Sequence, residues 1–164
     1  MKSLSILLIF FFSGCASNQP IHLKYEGQSY YVPSGVEEIG SLGDRENFLV
    51  FKYSQEKGKK YLAFSNSESV AKGDCDYSEF FNSVIKKGDS ISSCDKGELE
   101  TFRDAFTSGP SAGHWQINGL NHYYFVTENT GTFVFRLLSA DEIVKIDSDF
   151  LTPKELYSIF ESVE

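Results

Sequence analysis

Residues His114 to Leu138 read HWQINGLNHYYFVTENTGTFVFRLL and carry the densest strand signal in the chain. Trp115–Ile117, His122–Thr127 and Thr132–Leu138 are β-rich runs separated by Asn118-Gly119 and by Asn129-Thr130-Gly131. Asn-Gly is the stronger of the two turn signals, because both central positions of a tight hairpin need positive φ. The stretch is therefore expected to form an antiparallel meander. Pairing Ile117 with Leu120 across the first turn sets Trp115 opposite His122. In the third run, alternation puts Phe133, Phe135 and Leu137 on one face and Val134, Arg136 and Leu138 on the other. Both faces of this sheet are thus expected to be partly covered.

Working upstream, Tyr77, Phe80, Phe81, Val84 and Ile85 repeat at i, i+3, i+4, i+7 and i+8, the spacing of one helix face. Asp76 with Glu79 forms a capping pattern at its start, and Gly88 supplies the stop. A second helix is expected from about Gly97 to Ser108, with Leu99, Phe102 and Phe106 inward, Asp95 and Glu98 at its start and Gly109-Pro110 at its end. Nearer the N-terminus, Ile21–Tyr25 and Ser29–Val32 read as short strands around Glu26-Gly27-Gln28. Phe48–Tyr53 and Lys60–Phe64 form a second hairpin signal around the polar Ser54–Lys59. Lys57, Lys59 and Lys60 crowd that tip, and a solvated turn explains them. Pro33–Asn47 reads as a loop in which Val36–Leu42 could hold one helical turn. Downstream, Ile143–Ile146 adds a short strand. Thr152-Pro153-Lys154-Glu155 is a capping box with Pro at the first helical position, opening a helix with Leu156, Ile159, Phe160 and Val163 inward. The expected fold is a single α+β domain over 21–164, with antiparallel hairpins, a meander and about three helices.

The whole chain has 164 residues, with 15 Lys and Arg against 23 Asp and Glu, for a formal charge of −8. An acidic chain without a basic tract is not built to hold a phosphate backbone, so no nucleic-acid partner is expected. Aromatics are dense, at 15 Phe, 9 Tyr and 1 Trp. The adjacent pairs Tyr30-Tyr31, Phe80-Phe81 and Tyr123-Tyr124 cannot all point inward where residues alternate. Either a two-sided sheet buries them or some form a contact surface of the kind seen at interfaces.

The first residues have a different character. Met1-Lys2-Ser3 precedes Leu4–Phe12, nine residues with Ser5 as the single polar member. Such a run is about 14 Å of helix, too short for a hydrocarbon core of roughly 30 Å, and its flanks suit a cleaved secretory signal. Phe12-Ser13-Gly14-Cys15 resembles the lipobox of bacterial lipoproteins, with Phe12 where that family usually has an aliphatic residue. The resemblance implies cleavage of a signal peptide at 1–14, acylation of Cys15 and anchorage in membrane lipid. Ala16 in place of Asp after the Cys implies the outer membrane, on its periplasmic side. Removal of the leader leaves 150 residues, and loss of Lys2 takes the formal charge to −9. The short linker, 15–20, reaches less than about 20 Å even when extended.

With Cys15 acylated, Cys75 and Cys94 form an even pair in an oxidising compartment and are expected to form one disulfide. Closing a loop of that length contributes about 3 kcal/mol in the chain-entropy picture. Nineteen positions of spacing with no His between them rule out Cys-x-x-Cys chemistry.

The catalytic motifs fail on context. Gly109-Pro110-Ser111-Ala112-Gly113 fits Gly-x-Ser-x-Gly and His114 follows, but a nucleophile elbow needs a strand before the Ser and a helix after it. Here the order is reversed. His22, His114 and His122 offer no third metal ligand, and Asp147-Ser148-Asp149 lacks the spacing of a calcium loop. No catalytic residue, metal or cofactor is expected. These features favour a non-enzymatic interaction or binding lipoprotein that engages an envelope protein, either as an inhibitor or immunity protein or as an assembly accessory. The alternatives are a small periplasmic enzyme and a small-ligand-binding lipoprotein.

Overall fold

The computed structural model describes residues 19–42, 47–66, 70–86, 93–128 and 131–161. Cys15, the leader, Gly88, the Asn129-Thr130 turn residues and Val163 lie outside them. Within them, β1 (Ile21–Tyr25) and β2 (Gln28–Val32) form a separate hairpin. β3 (Glu38–Leu42), β4 (Phe48–Lys52) and β5 (Tyr61–Ser65) form one meander, and β6 (Ser111–Ile117), β7 (Leu120–Val126), β8 (Thr132–Leu137) and β9 (Ile143–Ser148) form another. Pairing of β5 with β9 fuses the two into one antiparallel sheet in the order β3-β4-β5-β9-β8-β7-β6. α1 (Tyr77–Lys86) and α2 (Lys96–Phe106) lie in the crossover from β5 to β6, and α3 (Pro153–Glu161) closes the described chain.

The α+β reading holds, and so does the register of the meander. Ile117 pairs with Leu120, and Trp115 faces His122. Asn118 and Gly119 take φ of 51° and 78°, as a two-residue turn of this hand requires. The expected loop or helical turn across 36–42 is overturned, because Glu38–Leu42 is an edge strand paired with β4. Gly40 obscured it, since glycine weakens a strand signal. Here it answers a steric need: a Cβ at Gly40 would stand 3.1 Å from Val50 Cγ1. β6 also starts at Ser111, four residues before the expected run.

The helix starts are chemically explicit. The Asp76 carboxylate accepts from Glu79 N at 2.7 Å, and Asp95 accepts from Glu98 N at 3.0 Å. Thr152 and Glu155 exchange hydrogen bonds in the reciprocal pattern of a capping box. Glu79 departs from that pattern, for its carboxylate takes the Ser93 N–H and hydroxyl instead. It thereby ties the start of α1 to the approach of α2. Cys75 and Cys94 are disulfide-bonded at the same place.

The sheet has two buried faces. On one, α1 and α2 bury Phe80, Phe81 and Phe102 against Tyr123, Phe125 and Phe135. On the other, α3 and the β1–β2 hairpin bury Tyr30, Val32, Leu156 and Phe160 against Leu62, Phe64, Val134 and Ile146. Register also defines two ends of the sheet. The near end holds the β4–β5 tip, Ser148, Thr132, Val126 and Ser111. The far end holds the Asn118-Gly119 turn, the β8–β9 turn and, through Tyr77 N bonded to Ala140 O, the start of α1.

Candidate functional site

The outer strand β6, SAGHWQI, contains no charged residue and no Pro. It pairs only with β7 among the described residues, so its other side presents unpaired backbone groups. Edge strands usually carry charges or Pro that prevent further pairing. This one instead carries an aromatic surface. Trp115 stacks on Tyr124 at 4.6 Å, and Tyr157 of α3 meets Trp115 edge-on at 5.2 Å. All three rings are half-buried.

Gly113 makes this arrangement possible. It pairs with Tyr124 across the ladder, and a Cβ there would lie 2.6 Å from the Tyr124 ring. The ring therefore lies flat over the glycine backbone and reaches Trp115. At Gly109 a Cβ would meet Val126 O at 1.9 Å. Both glycines of the Gly-x-Ser-x-Gly match are thus explained by close packing on β7. Ser111 is exposed at the start of a strand, in the order opposite to a nucleophile elbow.

The histidines are separated by the pleat. His114 is exposed, faces Tyr123 at 4.8 Å and shares a 3.1 Å hydrogen bond between its Nε2 and Asn121 Oδ1. His122 is fully buried on the opposite face. His22 lies beside Tyr31 on the exposed β1. Among the described residues, no three His, Cys, Asp or Glu side chains converge as metal ligands. Asp149 has a structural role, accepting from Lys60 N and Tyr61 N at the near end.

One polar group to which the sequence pattern gave a face but no partner stands out in the α3-side core. Arg136, opposite His122 across the β7–β8 ladder, is 5% exposed. Its guanidinium gives one hydrogen bond to Gln28 Oε1 at 2.8 Å and faces the Tyr30 and Phe160 rings at 5.1 and 5.7 Å. Nε and Nη1 have no hydrogen-bond partner, and no ion pair to it forms among the described residues. His122 Nδ1 reaches Leu120 O, while Nε2 has no partner. Burial, with the Arg136 charge second, pushes the His122 pKa down to about 4. The imidazole is neutral at ordinary pH. Alternation in β8 places Arg136 on a face, but alternation carries no information about which partner covers that face.

A cleft of about 240 Å³ lies between α2 and the sheet, bounded by Val70, Glu98, Phe102, Phe106 and Lys145. It falls below the roughly 300 to 1,000 Å³ of typical small-molecule sites. No helix among the described residues is long and apolar enough to cross a membrane. The chain matches no family model, no curated protein and no solved structure. Its geometry and chemistry therefore carry the functional reading.

Proposed function

We propose that this chain is a lipid-anchored envelope protein, held through Cys15 on the periplasmic side of the outer membrane. It acts as a non-enzymatic interaction module, as an inhibitor or immunity protein or an assembly accessory. The anchor rests on the Phe12-Ser13-Gly14-Cys15 resemblance. The observation that carries the interaction role is the uncharged edge strand β6 beside the half-buried rings of Trp115, Tyr124 and Tyr157. An extended segment of a partner protein adds to β6 by main-chain hydrogen bonds, and the rings supply a pocket for its side chains. Trp and Tyr are the side chains that most often dominate such contacts.

A photocrosslinker at Gln116, an exposed residue of β6, tests the reading in membranes. The expected result is a discrete protein adduct that Trp115→Ala abolishes, while Cys15→Ser leaves the membrane fraction. Adducts insensitive to Trp115→Ala would remove the edge from consideration. A Cys15→Ser chain that stays with the membrane would remove the anchor.

A further inference from the structure

Among the described residues, the large apolar side chains that stand well exposed are Ile21, Ile39 and Phe150, at 37%, 57% and 36%. All three sit at the near end, around Tyr53. Phe150 packs on the Tyr53 ring at 5.0 Å, and the Tyr53 hydroxyl donates to Pro33 O at 2.9 Å. Pro33 follows Val32, the ladder partner of Ile21. Ile39 pairs with Phe51, two residues before Tyr53 and on the same face. Apolar residues scattered singly need no explanation, whereas three drawn to one end of the sheet point to a contact surface.

The same end carries the Lys57-Gly58-Lys59-Lys60 tip, all four residues exposed. Acids lie beside it as well: Glu56 adjoins Lys57 in the exposed tip, Asp149 accepts from the Lys60 and Tyr61 N–H groups, Glu37 accepts from Gln55, and Glu38 pairs with Lys52 at 3.3 Å. Asp74, Asp76, Asp95 and Asp141 gather at the far end, about the disulfide and the start of α1, where Asp76 and Asp95 cap helices and Asp141 pairs with Lys72 at 2.9 Å. Lys57, Lys59 and Lys60 thus lie at the pole opposite this aspartate group.

We propose that the near end is a membrane-contact surface whose occupant is the anionic phospholipid of the bilayer that anchors the chain. This proposal rests on the lipoprotein reading. The chain enters the described structure at this end, at Gln19 and Pro20, and the linker from Cys15 spans less than about 20 Å. So short a tether presses whichever surface surrounds it against the headgroups. Phe150 and Ile21 sit in the interfacial layer, and the tip lysines meet lipid phosphates. The acidic pole then faces away from the like-charged surface, and β6 stands at the side of the domain, accessible to a partner.

The full-length lipidated protein, reconstituted into vesicles with brominated acyl chains, tests the orientation by tryptophan quenching. Native Trp115 serves as an internal reference on β6. In vesicles containing phosphatidylglycerol, F150W is expected to lose about half of its added emission, as an interfacially seated ring would, and wild type little. Lys57→Glu, Lys59→Glu and Lys60→Glu together are expected to cancel that loss, as is all-phosphatidylcholine lipid. Co-sedimentation separates the two ways of failing. If Cys15→Ser sediments with vesicles as wild type does, the anchor reading fails. If F150W sediments but is not quenched, or if its emission changes only with protein concentration as in self-association, the contact surface is overturned.

Discussion

The two faces of the central sheet are buried by different means. Under α1 and α2 the filling is aromatic and apolar, with the Phe81 ring 4.9 to 6.1 Å from Phe80, Phe102, Tyr123, Phe125 and Phe135. The covalent link at the helix starts and the Glu79–Ser93 bonds hold that layer in place. Under α3 and the β1–β2 hairpin, the core includes a guanidinium with two unpaired nitrogens and an imidazole with one. A buried polar group without its full complement of partners costs free energy that an apolar group of similar shape would not. The α1–α2 layer has such groups too, Arg103 Nε and Asp147 Oδ1, but its centre is a cluster of rings, whereas in the α3-side core Arg136, His122 and the Tyr30 hydroxyl sit among the rings themselves. Both the near-end apolar group and the β6 aromatic rings belong to this second face.

Substitutions that test the contrast are expected to rank as follows. Phe81→Ala should be the most damaging, costing about 3 to 5 kcal/mol because the cavity opens among six rings, Tyr77 included. Thermal denaturation reads it, and a loss below 1 kcal/mol would mean that the α1–α2 face is loosely packed. Breaking the covalent link with Cys75→Ser and Cys94→Ser should remove about 3 kcal/mol, seen as a lower denaturation midpoint that reductant reproduces in wild type.

Acid should act through the other face. His122 has a folded pKa of about 4 against the ordinary 6.5, so the unfolded chain binds this proton more readily than the native one. Its contribution is complete above about pH 6.5 and drains away as pH falls to 4, by about 3 kcal/mol in all. Arg136→Leu should be neutral or stabilising at pH 7 and should shrink the acid loss, because the guanidinium charge is one of the terms holding the imidazole down. NMR titration of the His122 ring, alongside denaturant melts at pH 7 and pH 5, checks both; a large destabilisation by Arg136→Leu would show that the cation is well compensated. The most local effect is expected from Gly113→Ala. It should displace the Tyr124 ring and unstack Trp115 at a cost of about 1 to 3 kcal/mol, visible as a shift in Trp115 emission. Unchanged emission would break the link between the glycine and the aromatic surface.

Much of this molecule is readable residue by residue. The Asn118-Gly119 turn, the Ile117–Leu120 register and the acidic helix caps follow from side-chain chemistry a few positions apart, and each is present as expected. The adjacent-aromatic puzzle is resolved mostly by burial: Phe80 and Phe81 are both fully buried in a helix, where neighbours need not alternate, and Tyr123 is buried while Tyr124 is half-buried. β3 escaped because Glu38, Gly40 and Ser41 carry weak strand preference, and its strand state depends on the ladder with β4. The β6 aromatic face escaped for a similar reason, since the partner ring Tyr157 lies 42 positions from Trp115.

Local pattern determined most of the elements and their caps, the cysteine count gave the expected disulfide, and the lipobox resemblance gave the expected anchor. Tertiary structure decided that β5 pairs with β9, 80 or so residues away, and so turned two meanders into one sheet. It also placed Arg136 and His122 under the hairpin and gathered Ile21, Ile39 and Phe150 at one end. Main-chain hydrogen bonds between strands are the same for every residue type but proline. Long-range pairing therefore leaves little local trace, and it is selected by how well whole faces pack once the chain has folded.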